Sequence, residues 1–204
     1  MIPQTVTLMT TNPLEQLKTI EYAGRNCYRS QDKITDTSYD GFIRRLIKRG
    51  HEAPLEFGHM VVELVTSRAV LAEITRHRLA SYCVESQRYV DASGTGDISF
   101  IAPAWYAQDA KSGLWFNSMF SAEASYQKLR DLGATPQEAR EVLPNSTACH
   151  IVMSANLREW RAIFKLRTSP AAYPQMREIM LELLKKADEQ FPCVFDDLME
   201  EQHE

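Results

Sequence analysis

The densest run of chemically useful side chains in this chain lies between Arg76 and Tyr89, and comprises Arg76, His77, Arg78, Ser81, Glu85, Ser86, Gln87, Arg88 and Tyr89. Guanidinium groups stay charged and present forked donors that match phosphate oxygens, while Ser, Gln and backbone N–H groups add neutral donors. A loop of this composition suits an anionic nucleotide. Two plainer readings stand beside that one. Arg76, His77 and Arg78 can simply end a helix, where cations complement the dipole. Alternatively, the arginines with Tyr82 and Tyr89 can bind single-stranded nucleic acid through phosphate contacts and base stacking. A formal net charge of −4 and a pI near 5.8 oppose a nucleic-acid partner, because non-specific binding rests on widespread Lys and Arg. The anion site is therefore expected to be local.

A second polar group, His51, Glu52, Glu56 and His59, has metal-binding residue types without metal-binding spacing. The segment reads His-Glu-Ala-Pro-Leu rather than His-Glu-x-x-His, and Pro54 disturbs the helix that normally aligns two such histidines. No metal is expected. Cys27, Cys83, Cys149 and Cys193 are scattered with no close pair, which fits reduced thiols better than a disulfide framework. The N-terminal residues lack a basic region followed by an apolar one, and no long uninterrupted apolar stretch occurs. The expectation is a cytoplasmic protein with no membrane partner, and a length of 204 residues makes one domain over 1–204 the default.

These side chains need a scaffold. Val6 and Leu8 mark a first strand, and Asn12 with Pro13 supplies an N-cap and first-turn proline for a helix carrying Leu14, Leu17 and Ile20. Phe42, Leu46 and Ile47 give a second helix over Tyr39–Arg49, closed by Gly50. Met60–Thr66 reads as a buried strand, Arg68–Arg78 as a helix and Asp97–Ala102 as a strand. Trp105–Leu132 reads as mostly helical with a break at Gly113, and Thr135 with Glu138 forms a capping box around Pro136. His150–Ala155 has strand content and Leu157–Leu166 is helical. The clearest period belongs to Met176, Ile179, Met180, Leu183, Leu184, Ala187 and Phe191, on one face of a last helix. Strands interleaved with helices, without regular βαβ spacing or a Gly-rich dinucleotide loop, predict an α+β fold: a mixed or antiparallel sheet packed with helices.

Arg76-His77-Arg78, seven residues, then Ser86 and the continuation Arg88-Tyr89 reproduce the RHR-x7-S and S-x-R-Y pattern of flavin-dependent thymidylate synthases. Upstream, Gly50-His51-Glu52, Pro54 and Glu56 are similar to that family's GHE-x-P-x-E segment. Ala139-Arg140, Val142-Leu143-Pro144, Asn156 and Leu166-Arg167 follow in the family's order, so the resemblance runs from about Gly50 to Glu178. It implies a homotetramer, with sites at subunit interfaces, that methylates dUMP to dTMP. The carbon comes from 5,10-methylenetetrahydrofolate, FAD carries hydride, and NADPH reduces the flavin.

Carried over by position, the resemblance assigns Arg76, His77 and Arg78 to the flavin, with Arg76 also facing the nucleotide across a subunit boundary. Ala53, Glu56, Val84, Asn156, Leu157, Arg158 and Ala162 complete the cofactor set. Glu73, Glu85, Ser86, Gln87, Arg88 and Arg140 form the dUMP site, and His51 lies near flavin and folate. Arg167 matches the arginine that favours ionisation of the uracil ring, and a fixed cation there makes C5 a better carbon nucleophile. Departures from the family pattern fall at Cys83-Val84, where Asn-Glu is frequent, at Ala53 in place of a hydroxyl residue, at Phe57 in place of His and at Ala162 in place of Asn. An Asn before a helix is also an ordinary cap, and an Arg such as Arg158 also an ordinary surface residue.

Overall fold

The computed structural model describes residues 1–92 and 98–202. The elements are β1 (Thr5–Leu8), α1 (Pro13–Asn26), α2 (Ser38–Lys48), β2 (His59–Ser67), α3 (Arg68–Ile74), β3 (Ala80–Val84), α4 (Ala110–Asp131), α5 (Pro136–Ala139), β4 (Ala148–Asn156), α6 (Leu157–Arg167), α7 (Pro174–Gln190) and α8 (Pro192–Glu200). The strands form one antiparallel sheet in the order β1-β2-β4-β3, so the fold is α+β as the residue patterning predicts. In β2 the alternate residues Met60, Val62, Leu64 and Thr66 are buried, and in β4 Cys149, Ile151, Met153 and Ala155 are, the two-residue period of a strand. No helix among the described residues is long and apolar enough to cross a membrane.

The chain divides into two compact units. The first comprises Met1–Thr5, Leu64–Arg76 and Cys83–Ile151, and the second Val6–Glu63, His77–Tyr82 and Val152–Glu204. In the first, Ser67 caps α3 by accepting the Val70 amide at 3.3 Å. The Arg68 and Ala69 amides donate to Thr147 O and Asn145 O, each at 3.0 Å. The capping box is present: Thr135 Oγ1 accepts the Glu138 amide at 3.4 Å and Glu138 Oε2 accepts the Thr135 amide at 2.7 Å. It sets the start of α5 and hence the position of Arg140, which opens the 3-10 turn Arg140–Val142.

In the second unit the buried stripe of α7 packs with α6 and α8. Trp160 meets Phe164 at a tilt and Phe164 meets Phe195 edge to face, with ring centroids 5.6 and 5.4 Å apart, and Trp160 Nε1 donates to Met60 O at 3.0 Å. At Gly58 an added Cβ would lie 2.8 Å from Leu157 Cδ1 and 2.9 Å from Ile20 Cδ1, so a side chain there would push those two methyl groups aside. Arg161 is buried and pairs with Asp197 through two bonds of 2.7 and 2.6 Å, with Glu52 at 3.4 Å and with Val194 O. Gly50, at φ 70°, ends α2: its amide donates to Ile47 O and that of His51 to Leu46 O, both at 2.9 Å, which is the paired closure of a left-handed glycine cap.

Several local expectations give way. Asn12 precedes α1 in a left-handed conformation with no side-chain cap bond, so Pro13 alone marks that start. α3 stops at Ile74, and the residues before Arg88 include the short strand β3 instead of more helix. α4 begins at Ala110, capped by Asp109, and continues through Gly113, where an added Cβ would meet nothing within 4 Å. Of the strand expected over Asp97–Ala102, Asp97 lies outside the described residues, and Phe100 and Ile101 make only isolated bridges to Thr147 and Ile2. Beyond Phe191, Pro192 opens α8, because a proline at the first turn of a helix loses no hydrogen bond.

Candidate functional site

In the first unit, a cleft of about 810 Å³ is lined by Arg68, Leu71, Ala72, Thr75, Val84, Glu85, Ser86, Gln87 and Arg140. β3 and the turn after it bring Glu85, Ser86 and Gln87 to one side, and the turn after α5 brings Arg140. Arg68 was not singled out by the sequence, being an isolated arginine at the end of an apolar strand. It lines this cleft and also an adjoining one of about 470 Å³ that reaches Tyr126 and Thr147. Its Nη2 donates to Glu85 O at 2.9 Å, whereas its Nε is buried without a hydrogen-bond partner. A buried guanidinium N–H with no acceptor is rare in folded proteins.

Glu85 Oε2 accepts the His150 amide at 3.3 Å. Burial, against the lowering effect of Arg68 and with the help of Glu85, pushes the Cys149 thiol up to about 11. Arg140 Nε stands 3.6 Å from Glu141 Oε1, a loose contact that leaves its donors open. Arg88 extends away: its Nε donates to Gln137 Oε1 at 2.8 Å, its guanidinium lies 5.3 Å from the Tyr89 ring centre, and its amide donates to Ser86 Oγ at 3.3 Å. Arg76 is exposed and Glu73 half-buried where α3 ends, the Arg76 amide turning back to Glu73 O. Two cations, a hydroxyl and a carboxamide around one cleft form a donor set for a phosphate monoester.

The second unit holds a different cluster. Arg167 Nε donates to His77 Nε2 at 3.0 Å, and His77 Nδ1 faces Glu159 Oε1 at 3.8 Å. Burial first, and then the Arg167 charge, hold His77 below its ordinary range. The Tyr82 hydroxyl donates to His77 O at 2.9 Å, and burial pushes Tyr82 up to about 12. Nearby in sequence, the turn Ala53–Phe57 borders a cleft of about 690 Å³ lined by residues that include Tyr28, His51, Ala53, Pro54 and Arg158. Arg158 pairs with Glu56 at 2.6 Å. Asn156 caps α6, accepting the Glu159 amide at 2.8 Å. Leu157 is buried, with its amide committed to Gly58 O at 2.9 Å. Arg78 and Ala162 are exposed.

The structure thus gathers Val84, Glu85, Ser86, Gln87 and Arg140 around one cleft, pairs His77 with Arg167, and places His51, Ala53 and Arg158 around another. Among the described residues no group of three or more His, Cys, Asp and Glu is placed to hold a metal. A family model described as thymidylate synthase complementing protein matches residues 7–193. The chain belongs to this family. Members similar to it include a probable flavin-dependent thymidylate synthase of Mycobacterium phage D29, 36% identical over 194 residues that cover 87% of this chain and 81% of the relative. The flavin-dependent thymidylate synthase of Corynebacterium glutamicum is 32% identical, covering 87% and 78%. The crystal structure of a UMP/dUMP methylase, PolB from Streptomyces cacaoi, bound with 5-Br dUMP, shares the fold, with a TM-score of 0.78 and 21% identity over 95% of this chain and 93% of that one.

Proposed function

We propose that this member of the thymidylate synthase complementing family is a flavin-dependent thymidylate synthase: dUMP, 5,10-methylenetetrahydrofolate, NADPH and a proton give dTMP, tetrahydrofolate and NADP+. The observation that carries the reading is the cleft in which Arg68, Ser86, Gln87 and Arg140 come together, with a buried Arg68 Nε awaiting an acceptor. There the guanidinium and hydroxyl donors hold the monophosphate, and Glu85 balances the charge of Arg68. By its match to the family pattern Arg167 acts on the uracil ring, where a fixed positive charge favours the anionic form and raises the nucleophilicity of C5 towards the methylene carbon. Glu73 and Arg76 complete the nucleotide site, and Arg88 reaches the phosphate by leaving Gln137.

The second unit suits FAD on the chemistry of its residues. Pro54 and Tyr28 offer apolar surface for a planar ring, while His51 and Arg158 supply donors for an anionic tail at the same cleft. His77, Arg78, Ala53, Glu56, Asn156, Leu157 and Ala162 form the cofactor's surroundings in this unit, and the match to the family pattern adds Arg76 and Val84 to the cofactor set. When bound, FAD supplies the hydride that reduces the transferred carbon to a methyl group. Residues 1–204 act as one catalytic domain of a cytoplasmic homotetramer with sites at subunit boundaries. The exposed Phe116 and Phe120, four residues apart on one face of α4, offer an apolar surface for subunit contact. The test is anaerobic incubation of the purified chain with dUMP, methylenetetrahydrofolate and NADPH, with and without FAD. The expected product is dTMP, dependent on FAD; dUMP recovered unchanged under every condition refutes the assignment.

A further inference from the structure

An arginine Nε always carries its hydrogen, so the 3.0 Å contact between Arg167 Nε and His77 Nε2 needs the lone pair of that imidazole nitrogen. The ring must then be neutral with its own proton on Nδ1, the nitrogen that faces the Glu159 carboxylate at 3.8 Å. Both side chains are largely shut off from solvent, at 11% and 14% exposure, where a misplaced proton is not repaired by water. The backbone of His77 is tied as well, since its carbonyl accepts the Tyr82 hydroxyl. Glu159 is itself fixed by the first turn of α6, its amide bonded to Asn156, and Arg167 ends the same helix.

We infer that Glu159 and His77 form a relay that aims the Arg167 guanidinium, Glu159 keeping the proton on Nδ1 and Nε2 receiving the Arg167 N–H. Glu159 is a positioning residue in this arrangement, His77, which the proposed function also sets beside the flavin, positions Arg167 through Nε2, and the consequence for turnover rests on the proposed role of Arg167. Among the described residues the charged groups facing the imidazole are Glu159 and Arg167 from α6, and Tyr82 from β3 bonds the His77 backbone carbonyl. Protonation of His77 removes the acceptor and sets an imidazolium against a guanidinium. The ring resists this at neutral pH, since burial and the Arg167 charge hold it below its ordinary 6.5. Arg167 therefore keeps its aim at neutral pH and loses it only as pH falls through a point lying below 6.5.

The experiment is long-range 1H–15N NMR of the imidazoles in the full chain without ligands, with His77 assigned by its absence in H77Q. It is paired with pH profiles of dTMP formation for the native chain, H77Q and H77L. The expected spectrum shows Nδ1 protonated and Nε2 bare at neutral pH, with the preference weakened in E159L. The expected kinetics are a kcat about a hundredfold lower for H77L, the scale of a mis-aimed catalytic group, with dUMP affinity little changed. H77Q, whose carboxamide oxygen accepts in place of Nε2, recovers most of kcat and lacks the acid limb. A proton on Nε2, an H77L variant with native kcat, or an acid limb unchanged in H77Q overturns the relay. Absence of dTMP from the native chain instead overturns the assigned activity, and the NMR result still decides the tautomer.

Discussion

Replacing Arg161 by methionine removes the cation that ties α6 to α8 while keeping most of the buried stem volume. The Arg161 side chain is 1% exposed, its partners Glu52 and Asp197 21% and 43%. Breaking a buried pair by deleting one partner costs about 3–5 kcal/mol, and because Asp197 is nearly half exposed and screened by water, the low end, about 3 kcal/mol, applies. For a chain of this size that is a fall of about 6–12 °C in Tm. The loss must also depend on pH. Burial pushes the Asp197 carboxyl up, but the hydrogen bonds and charge of Arg161 outweigh it and bring the group below its ordinary 3.8. A depressed carboxyl stabilises the fold above the unfolded value and ceases to do so as pH falls through the folded one. The deficit of R161M is therefore full at neutral pH and shrinks below about pH 4. Urea unfolding followed by circular dichroism at several pH values measures it, and a deficit under about 1 kcal/mol at pH 7, or one independent of pH, refutes the assigned pairing.

The nucleotide cleft makes its own demands. Arg140→Ala or Arg68→Ala should each remove a charge-assisted contact of about 1.5–3 kcal/mol, weakening dUMP by about 10- to 150-fold in calorimetry. Deoxyuridine, which lacks the phosphate, should lose little; an equal loss for both ligands would take those arginines out of the phosphate site. Among the four cysteines, Cys27 and Cys83 are exposed while Cys149 and Cys193 are buried, and burial pushes the latter thiols up to about 11 and about 12. An aromatic disulfide reagent at pH 8 should therefore react rapidly with two thiols and reach the others only on unfolding, since the thiolate is the nucleophile. Four fast thiols in the native chain would contradict that placement.

Much of this arrangement was legible in the residues, for reasons that differ by element. The α7 stripe and the Thr135–Glu138 capping box announce themselves because both are local patterns, decided by neighbours three and four residues away. β3 was hidden because its alternation is shallow, with Ala80, Tyr82 and Val84 only half-buried between the exposed Ser81 and Cys83, and because its pairing with β4 comes from residues far along the chain. The same non-locality hid Arg68, whose importance rests on an unpaired Nε and on meeting Arg140 across a cleft. Gly113 misled because glycine permits a bend without requiring one. The chemistry around Arg76 to Tyr89 was visible as composition, yet the division of labour was not: Arg88 turns to Gln137, Arg140 lines the cleft, and His77 serves Arg167.

The central claim concerns where a nucleotide phosphate is held. A crystal structure of the full chain with dUMP tests it most directly. Phosphate oxygens within hydrogen-bond distance of Ser86 and Arg140, with one accepting the Arg68 Nε–H, are the predicted result. Density for the phosphate at another surface, with Arg68, Ser86 and Arg140 left facing solvent, would contradict it.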